Sequence, residues 1–162
     1  TRTLPNAQAP FALRAALREL QLLVDEGLTQ EEFELTRTFL KKYSLHYAET
    51  TAARLGYAVD DRFYGIDGEG HLARFRRVMD ELTVEEVNAA IKRYWQYDDL
   101  KIAIVTGDAA AMMPLLASDA PTPIQYPNPM PGAIVAEDRE IAAFPLALAR
   151  IEVVPVDQAF ER

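Results

Sequence analysis

Two histidines, His46 and His71, and the adjacent carboxylates Asp60 and Asp61 are the side chains here whose chemistry could go beyond packing. In His46-Tyr47-Ala48-Glu49 the imidazole and the carboxylate are three residues apart, so on a helix they share a face. A zincin-type site needs two imidazoles one turn apart and a third ligand. Thr50 stands where an inverted His-x-x-Glu-His motif would carry its second histidine. The pair therefore reads as a surface or half-buried polar pair, not as two metal ligands. His71 follows a glycine-rich stretch and reads as a residue near a helix start. Asp60 and Asp61 suggest paired carboxylates for acid–base work. Neighbours on a helix point about 100° apart, however, so a solvated face or helix-end charge is the better reading.

Thr106-Gly107-Asp108 ends one apolar run and opens another, loosely like a phosphate turn. It lacks the glycine series and the lysine that would cradle a phosphate. No Gly-x-Ser-x-Gly elbow is present, and the absence of cysteine removes thiolate catalysis, disulfides and cysteine-ligated zinc together. The residues thus assign no catalytic, substrate-binding or metal-binding position.

Bulk properties exclude further classes. Net charge is −8, from 25 acidic against 17 basic residues, which disfavours a nucleic-acid partner. The densest basic cluster, Arg74, Arg76 and Arg77, lies beside Asp80 and Glu81 and reads as a solvated helix face. No apolar run approaches the roughly 18 to 20 residues of a membrane-spanning helix, so a soluble segment is expected, with cytoplasm and periplasm both open. The sequence starts at Thr1, not Met, and is expected to belong to a larger polypeptide.

What would position these side chains is mostly helix. Leu13, Ala16, Leu17, Leu20, Leu23 and Val24 recur at helical spacing between Pro10 and Gly27, with Arg14, Arg18, Glu19 and Gln21 mostly off that stripe. Gly27 suits a left-handed C-terminal position. Thr29-Gln30-Glu31-Glu32 then reads as a capping box, with Leu28 and Phe33 as a hydrophobic staple. The stripe of that second helix runs through Phe33, Thr36, Phe39, Leu40, Tyr43 and Tyr47. A third helix is expected over Thr51–Phe63, a loop at Gly65, Gly68 and Gly70, and a short helix from His71 to Asp80. Thr83 and Glu86 repeat the capping box, with Leu82 and Val87 as staple, and Ala90, Ile91, Tyr94 and Trp95 continue the fifth helix.

Leu100-Lys101-Ile102-Ala103-Ile104-Val105-Thr106 is the strongest strand signal, with Leu100, Ile102 and Ile104 on one face and Lys101 off it. Asp108 can cap a short helix through Met112 to Leu116. Eight of the ten prolines lie from Pro114 onward, so helix there is expected to be brief. Strand-like pieces remain at Ile124–Tyr126 and Ile151–Val154, and Arg2-Thr3-Leu4 reads as the end of another strand. A lone strand leaves its backbone groups unpaired. Its partners are either the short C-terminal pieces or strands that precede Thr1. The expected fold is therefore α+β: a two-layer lobe with a helical layer packed on a mainly antiparallel sheet, complete in this chain in the first case and partly missing from it in the second. Residues 1–118 form its helix-rich body, and 119–162 a proline-rich extension wrapping the same domain.

The order of these pieces resembles a passage of the insulinase/pitrilysin-type zinc peptidases. The residues that carry the resemblance are Phe11 to Leu20, then Glu26-Gly27-Leu28-Thr29-Gln30-Glu31-Glu32-Phe33-Glu34, Ala53-Arg54-Leu55-Gly56-Tyr57, Tyr64-Gly65, Leu82 to Asn88, and Leu100 to Gly107. The match spans roughly residues 10 to 118. It implies a lobe of a clamshell around unfolded peptides, with zinc held on an inverted His-x-x-Glu-His helix in the parent protein or a partner subunit. The family's Arg and Tyr, seven positions apart, have no counterpart here.

The implied role is a non-catalytic carboxyl-terminal scaffold and chamber wall, contacting the remaining lobes or a partner subunit, with peptide as the parent's substrate and no cofactor in this segment. A catalytically degenerate member serving as a structural or assembly subunit is the alternative, and an unrelated helical interaction domain is a third. The segment is expected to self-associate or to pair through an exposed strand edge.

Overall fold

A computed structural model describes residues 3–159. Their regular structure is helical: α1 (Ala9–Glu26), α2 (Gln30–Tyr43), α3 (Thr51–Phe63), α4 (His71–Glu81), α5 (Val84–Tyr94), α6 (Ala109–Ala117) and α7 (Gly132–Ala143). Short 3₁₀ turns occupy Asn6–Gln8, Ser44–Ala48 and Val156–Gln158. The chain divides into two units, one of residues 1–22 with 96–162 and one of residues 23–95.

The 23–95 unit is assembled by local rules that the sequence spells out. Thr29 Oγ1 accepts from the Glu32 N–H at 3.2 Å while Glu32 Oε2 accepts from the Thr29 N–H at 2.8 Å. Thr83 and Glu86 make the same reciprocal pair at 3.3 and 2.9 Å. Each box satisfies two donors that a helix start leaves without partners. The turn between α1 and α2 is pinned to α5 by Asn88. Its Oδ1 accepts from the Leu28 N–H at 2.8 Å and its Nδ2 donates to the Leu28 carbonyl at 2.9 Å. Gly27 is indispensable to this contact on two counts. Its φ is +76°, and a Cβ there would lie 2.7 Å from the Asn88 side chain. Phe33 is buried, and the Arg37 guanidinium lies over its ring at 5.1 Å while holding Glu34 at 2.6 Å.

The apolar stripe of α2 is only partly covered. Phe39, Tyr43 and Tyr47 remain exposed and stack on one another, with ring centroids 5.4 Å apart in each successive pair. Leu35, Leu55, Phe63 and Tyr64 are more than half exposed as well.

The other unit has its core where α1, α6 and the C-terminal tail meet. Met112, Leu116 and Leu146 are buried, with Ala9, Leu13, Leu17, Leu148 and Ile151 packed against them. Beside that cluster lies Arg14, whose side chain is wholly buried. Its Nε donates to Thr122 Oγ1 at 3.1 Å, one terminal nitrogen donates to the Ala120 carbonyl at 2.8 Å, and the other to the Phe144 carbonyl. Asp119 completes the arrangement with an ion pair at 2.9 Å. Asp119 also accepts the backbone N–H groups of Leu146 and Ala147, and both Asp119 and Ala147 sit at positive φ, +49° and +47°. The placement of Arg14 off the buried stripe of α1 is thus corrected. Its side chain points inward because backbone carbonyls and a carboxylate meet it there.

The expected α+β fold is overturned. Among the described residues no strand forms, so no helical layer rests on a sheet. Leu100–Thr106 makes no backbone hydrogen bond to any other described residue, and Ile124–Tyr126 and Ile151–Val154 form no ladder either. Strand propensity is local, whereas a strand exists only when a second one supplies its hydrogen bonds. Of the expected strand end at Arg2-Thr3-Leu4, Thr3 and Leu4 are irregular and Arg2 lies outside the described residues. A second correction concerns the tail, where α7 runs for 12 residues. The prolines bracket this segment without interrupting it, and Pro131 precedes its first turn, where a missing N–H costs nothing.

Two stability outcomes follow from these contacts. Arg14→Met should cost about 3 kcal/mol, because it strands two carbonyls and the Asp119 carboxylate around an apolar chain. Gly27→Ala should cost at least about 1 kcal/mol through its positive φ and the Asn88 clash. Urea unfolding of each variant against the parent chain measures both, and an effect near zero in either refutes the corresponding role.

Candidate functional site

His46 lies in the 3₁₀ turn after α2, where its Nδ1 contacts Glu49 Oε1 across three residues. Both side chains are about two-thirds exposed, at 65% and 61%. The pair meets as the spacing predicts, and no third ligand joins it. Among the described residues no group of three or more His, Asp or Glu side chains converges, so the donor set does not fit a zinc ion.

His71 opens α4, as expected of a residue following the glycines, and is drawn to Asp61 at the end of α3. Asp61 Oδ1 accepts the His71 backbone N–H at 3.1 Å and lies 2.5 Å from the ring Nδ1. Gly70, at φ +78°, turns the chain so that both bonds form, and the Tyr57 ring packs on the imidazole with centroids 4.8 Å apart. The side-chain bond from His71, then its backbone bond, hold the Asp61 carboxyl below its ordinary value of 3.8. Asp60 shares none of this, so the adjacent carboxylates do not form a dyad. Asp61 is a helix cap supplied from the preceding helix, and it does for α4 what a side-chain cap at Gly70 cannot.

A groove of about 210 Å³ runs beside this pair, lined by Arg54, Tyr57, Asp61, Glu69 and Arg76 among others. The one hydroxyl in its lining is the phenol of Tyr57, whose ring packs on the His71 imidazole, and the lining has no serine, threonine or cysteine.

The other unit carries a groove of about 350 Å³, lined chiefly by Pro121, Pro123, Ile124, Tyr126, Val135 and Ala142. The Tyr126 hydroxyl donates to Asp138, which raises the phenol above its usual 10.0. Asp138 Oδ2 is buried without a partner among the described residues. This pair had no signal in the sequence, since its members are separated by the Pro127–Pro131 loop and belong to no motif. A neutral phenol and one carboxylate in an apolar groove can hold a hydrogen-bond donor.

Arg14 and Asp119 form an ion pair at 2.9 Å, and their other polar partners are Thr122 and main-chain groups of their own unit. The backbone N–H of Leu146, then other contacts including Arg14, depress the Asp119 carboxyl below 3.8. No family model, curated protein or solved structure matches the chain. No helix of the described residues is long and apolar enough to cross a membrane.

The Asp61 cap has a pH signature. Its folded pKa is depressed, so its contribution is complete above 3.8 and disappears as pH falls through the lower folded value. Asp61→Asn should therefore loosen the start of α4 at neutral pH and flatten the acid dependence of its local stability. Amide exchange at residues 71–73 reads this out. An unchanged acid profile in the variant would place the pH dependence elsewhere.

Proposed function

We propose that this chain is a non-catalytic scaffold segment of a larger zinc-dependent metalloendopeptidase, contributing chamber wall while peptide hydrolysis is carried out elsewhere in the parent protein or in a partner subunit. The fold contributes nothing to this reading, since the family's two-layer lobe is not formed by the described residues. The support is of two kinds. One is the order and spacing of Glu26 to Glu34, Ala53 to Tyr57, Leu82 to Asn88 and Leu100 to Gly107, which resemble the insulinase/pitrilysin pattern. The other, which carries the reading, is the apolar surface of the 23–95 unit. Leu35 is 72% exposed, Leu55 65%, Phe63 80% and Tyr64 71%, side chains whose burial stabilises a protein by about 1.5 to 3 kcal/mol each. Such a surface is what a wall segment offers to the lobes that cover it.

In this reading zinc belongs to the parent's catalytic lobe. His46, Glu49, Asp61 and His71 have structural roles, and the peptide substrate is bound and cut outside this chain.

The test uses the full-length parent with any partner subunit. Hydrolysis of an unstructured fluorogenic peptide should be abolished by a zinc chelator and restored by added zinc, while this chain alone should show no activity. A full-length protein that binds no zinc and cleaves no peptide, with its partner present, would overturn the peptidase reading. It would favour a degenerate, purely structural member of the same family.

A further inference from the structure

The groove of about 210 Å³ beside His71 is polarised along its length. One end is the Asp61–His71 contact. Away from it, Arg54 lies seven residues back along α3, roughly 10 Å of helix rise, and Arg76 five residues on along α4. Both side chains line the groove, Arg54 exposed and Arg76 half-buried. Neither guanidinium makes a hydrogen bond or an ion pair with any described residue.

The nearby carboxylates are committed elsewhere. Asp61 holds the backbone and ring of His71, and Glu69 pairs with Arg77 at 2.9 Å. Asp80, one turn beyond Arg76 on α4, pairs with Lys41, and Glu49, just before α3, with His46. Two cations thus share one groove with no countercharge, although a charge drawn out of water depends on its partners for stability. The chain as a whole carries −8, so an anion held here is held by these two side chains and not by a general positive field.

We propose that the Arg54–Arg76 end of this groove is an oxyanion site that takes a phosphoryl group, as free phosphate or as a small phosphate monoester. A phosphoryl group carries roughly −1.5 to −2 charges at neutral pH and so neutralises both guanidiniums, where a single carboxylate would leave one uncompensated. Each guanidinium presents a fork of donors that matches a pair of phosphate oxygens. Tyr57, Leu72 and Ala73 lie between the two ends of the groove and give an ester's organic part an apolar wall. The volume is below the roughly 300 to 1,000 Å³ of sites for drug-sized ligands, which suits a phosphoryl group with a small body. The inference does not rest on the peptidase reading, which assigns no ligand to this groove.

The test titrates the full 162-residue chain with inorganic phosphate, phenyl phosphate and succinate at constant ionic strength, following arginine side-chain N–H signals by NMR. Saturable shifts at Arg54 and Arg76 are expected with both phosphates, and several-fold weaker binding with succinate. Arg54→Gln and Arg76→Gln should each weaken phosphate binding about tenfold. Neither arginine has a partner to lose, so both variants should keep the fold, which their amide spectra check. Arg74→Gln, which removes an exposed charge from the same helix, should leave binding unchanged. Phenyl phosphate binding more tightly than inorganic phosphate assigns the site to an ester, and equal binding assigns it to the free ion. The absence of saturable shifts at tens of millimolar phosphate overturns the inference. So does succinate binding as tightly as phosphate, or an equal loss in all three variants, since the attraction is then diffuse.

Discussion

The buried guanidinium of Arg14 is the constraint on which the 1–22 and 96–162 unit depends. A planar cation with five donors cannot be left dry and unpaired in an interior. Here the chain bends to meet it. Ala120 and Thr122 approach from one side, Phe144 from another, and Asp119 supplies the countercharge. Asp119 passes the constraint on by accepting the N–H groups of Leu146 and Ala147. Those bonds help set Leu146 into the core beside Met112 and Leu116. The positive φ values at Asp119 and Ala147 are the conformational cost of this convergence, in a region that non-glycine residues rarely occupy. The apolar cluster supplies the bulk of the burial, and the arginine decides which loops lie over it.

The 23–95 unit is organised differently. Among the described residues no buried ion pair holds it. It relies on two capping boxes, a helix cap lent by Asp61 to α4, and the amide of Asn88 mimicking a backbone partner for Leu28. Each of these is a junction device that sets where one helix ends and the next begins. Few large side chains close over the helices thus placed, since Phe33, Val84 and Ile91 are its buried apolar residues. The aromatic ladder of Phe39, Tyr43 and Tyr47 is the counterpart of that shallow core. The rings satisfy one another at the surface because nothing in the unit covers them.

What the sequence made legible divides along the same line. The helices around Thr29, Thr51, His71 and Thr83 could be read because caps, staples and breakers act within a few residues. Their physics is complete in a short window. Arg14 could not be read that way. Most of its acceptors are main-chain carbonyls and a threonine far along the chain, and a carbonyl leaves no mark in residue type. The strand at Leu100–Thr106 failed for the opposite reason. Its local preference was plain, but a ladder is a property of two segments and only one is present. The helix α7 was missed because the prolines were weighed as a property of the whole tail, when their spacing leaves residues 132–143 free of them. As for a site, the His46–Glu49 contact was foreseen, whereas the His71–Asp61 and Tyr126–Asp138 pairs join residues that no motif connects.

The reach of the Arg14 contacts also has a consequence in time. The Ala120, Thr122 and Phe144 groups that accept its hydrogen bonds lie 106 to 130 residues downstream. A ribosome adds roughly 5 to 20 residues per second, so α1 waits several seconds before the groups that will surround its arginine exist. During that interval the guanidinium is hydrated and the stripe of Leu13 and Leu17 has no tail to pack against. The first helix made in that unit is therefore among the last to find its final surroundings. The unit can close only after the segment around Phe144 and Leu146 has left the ribosome.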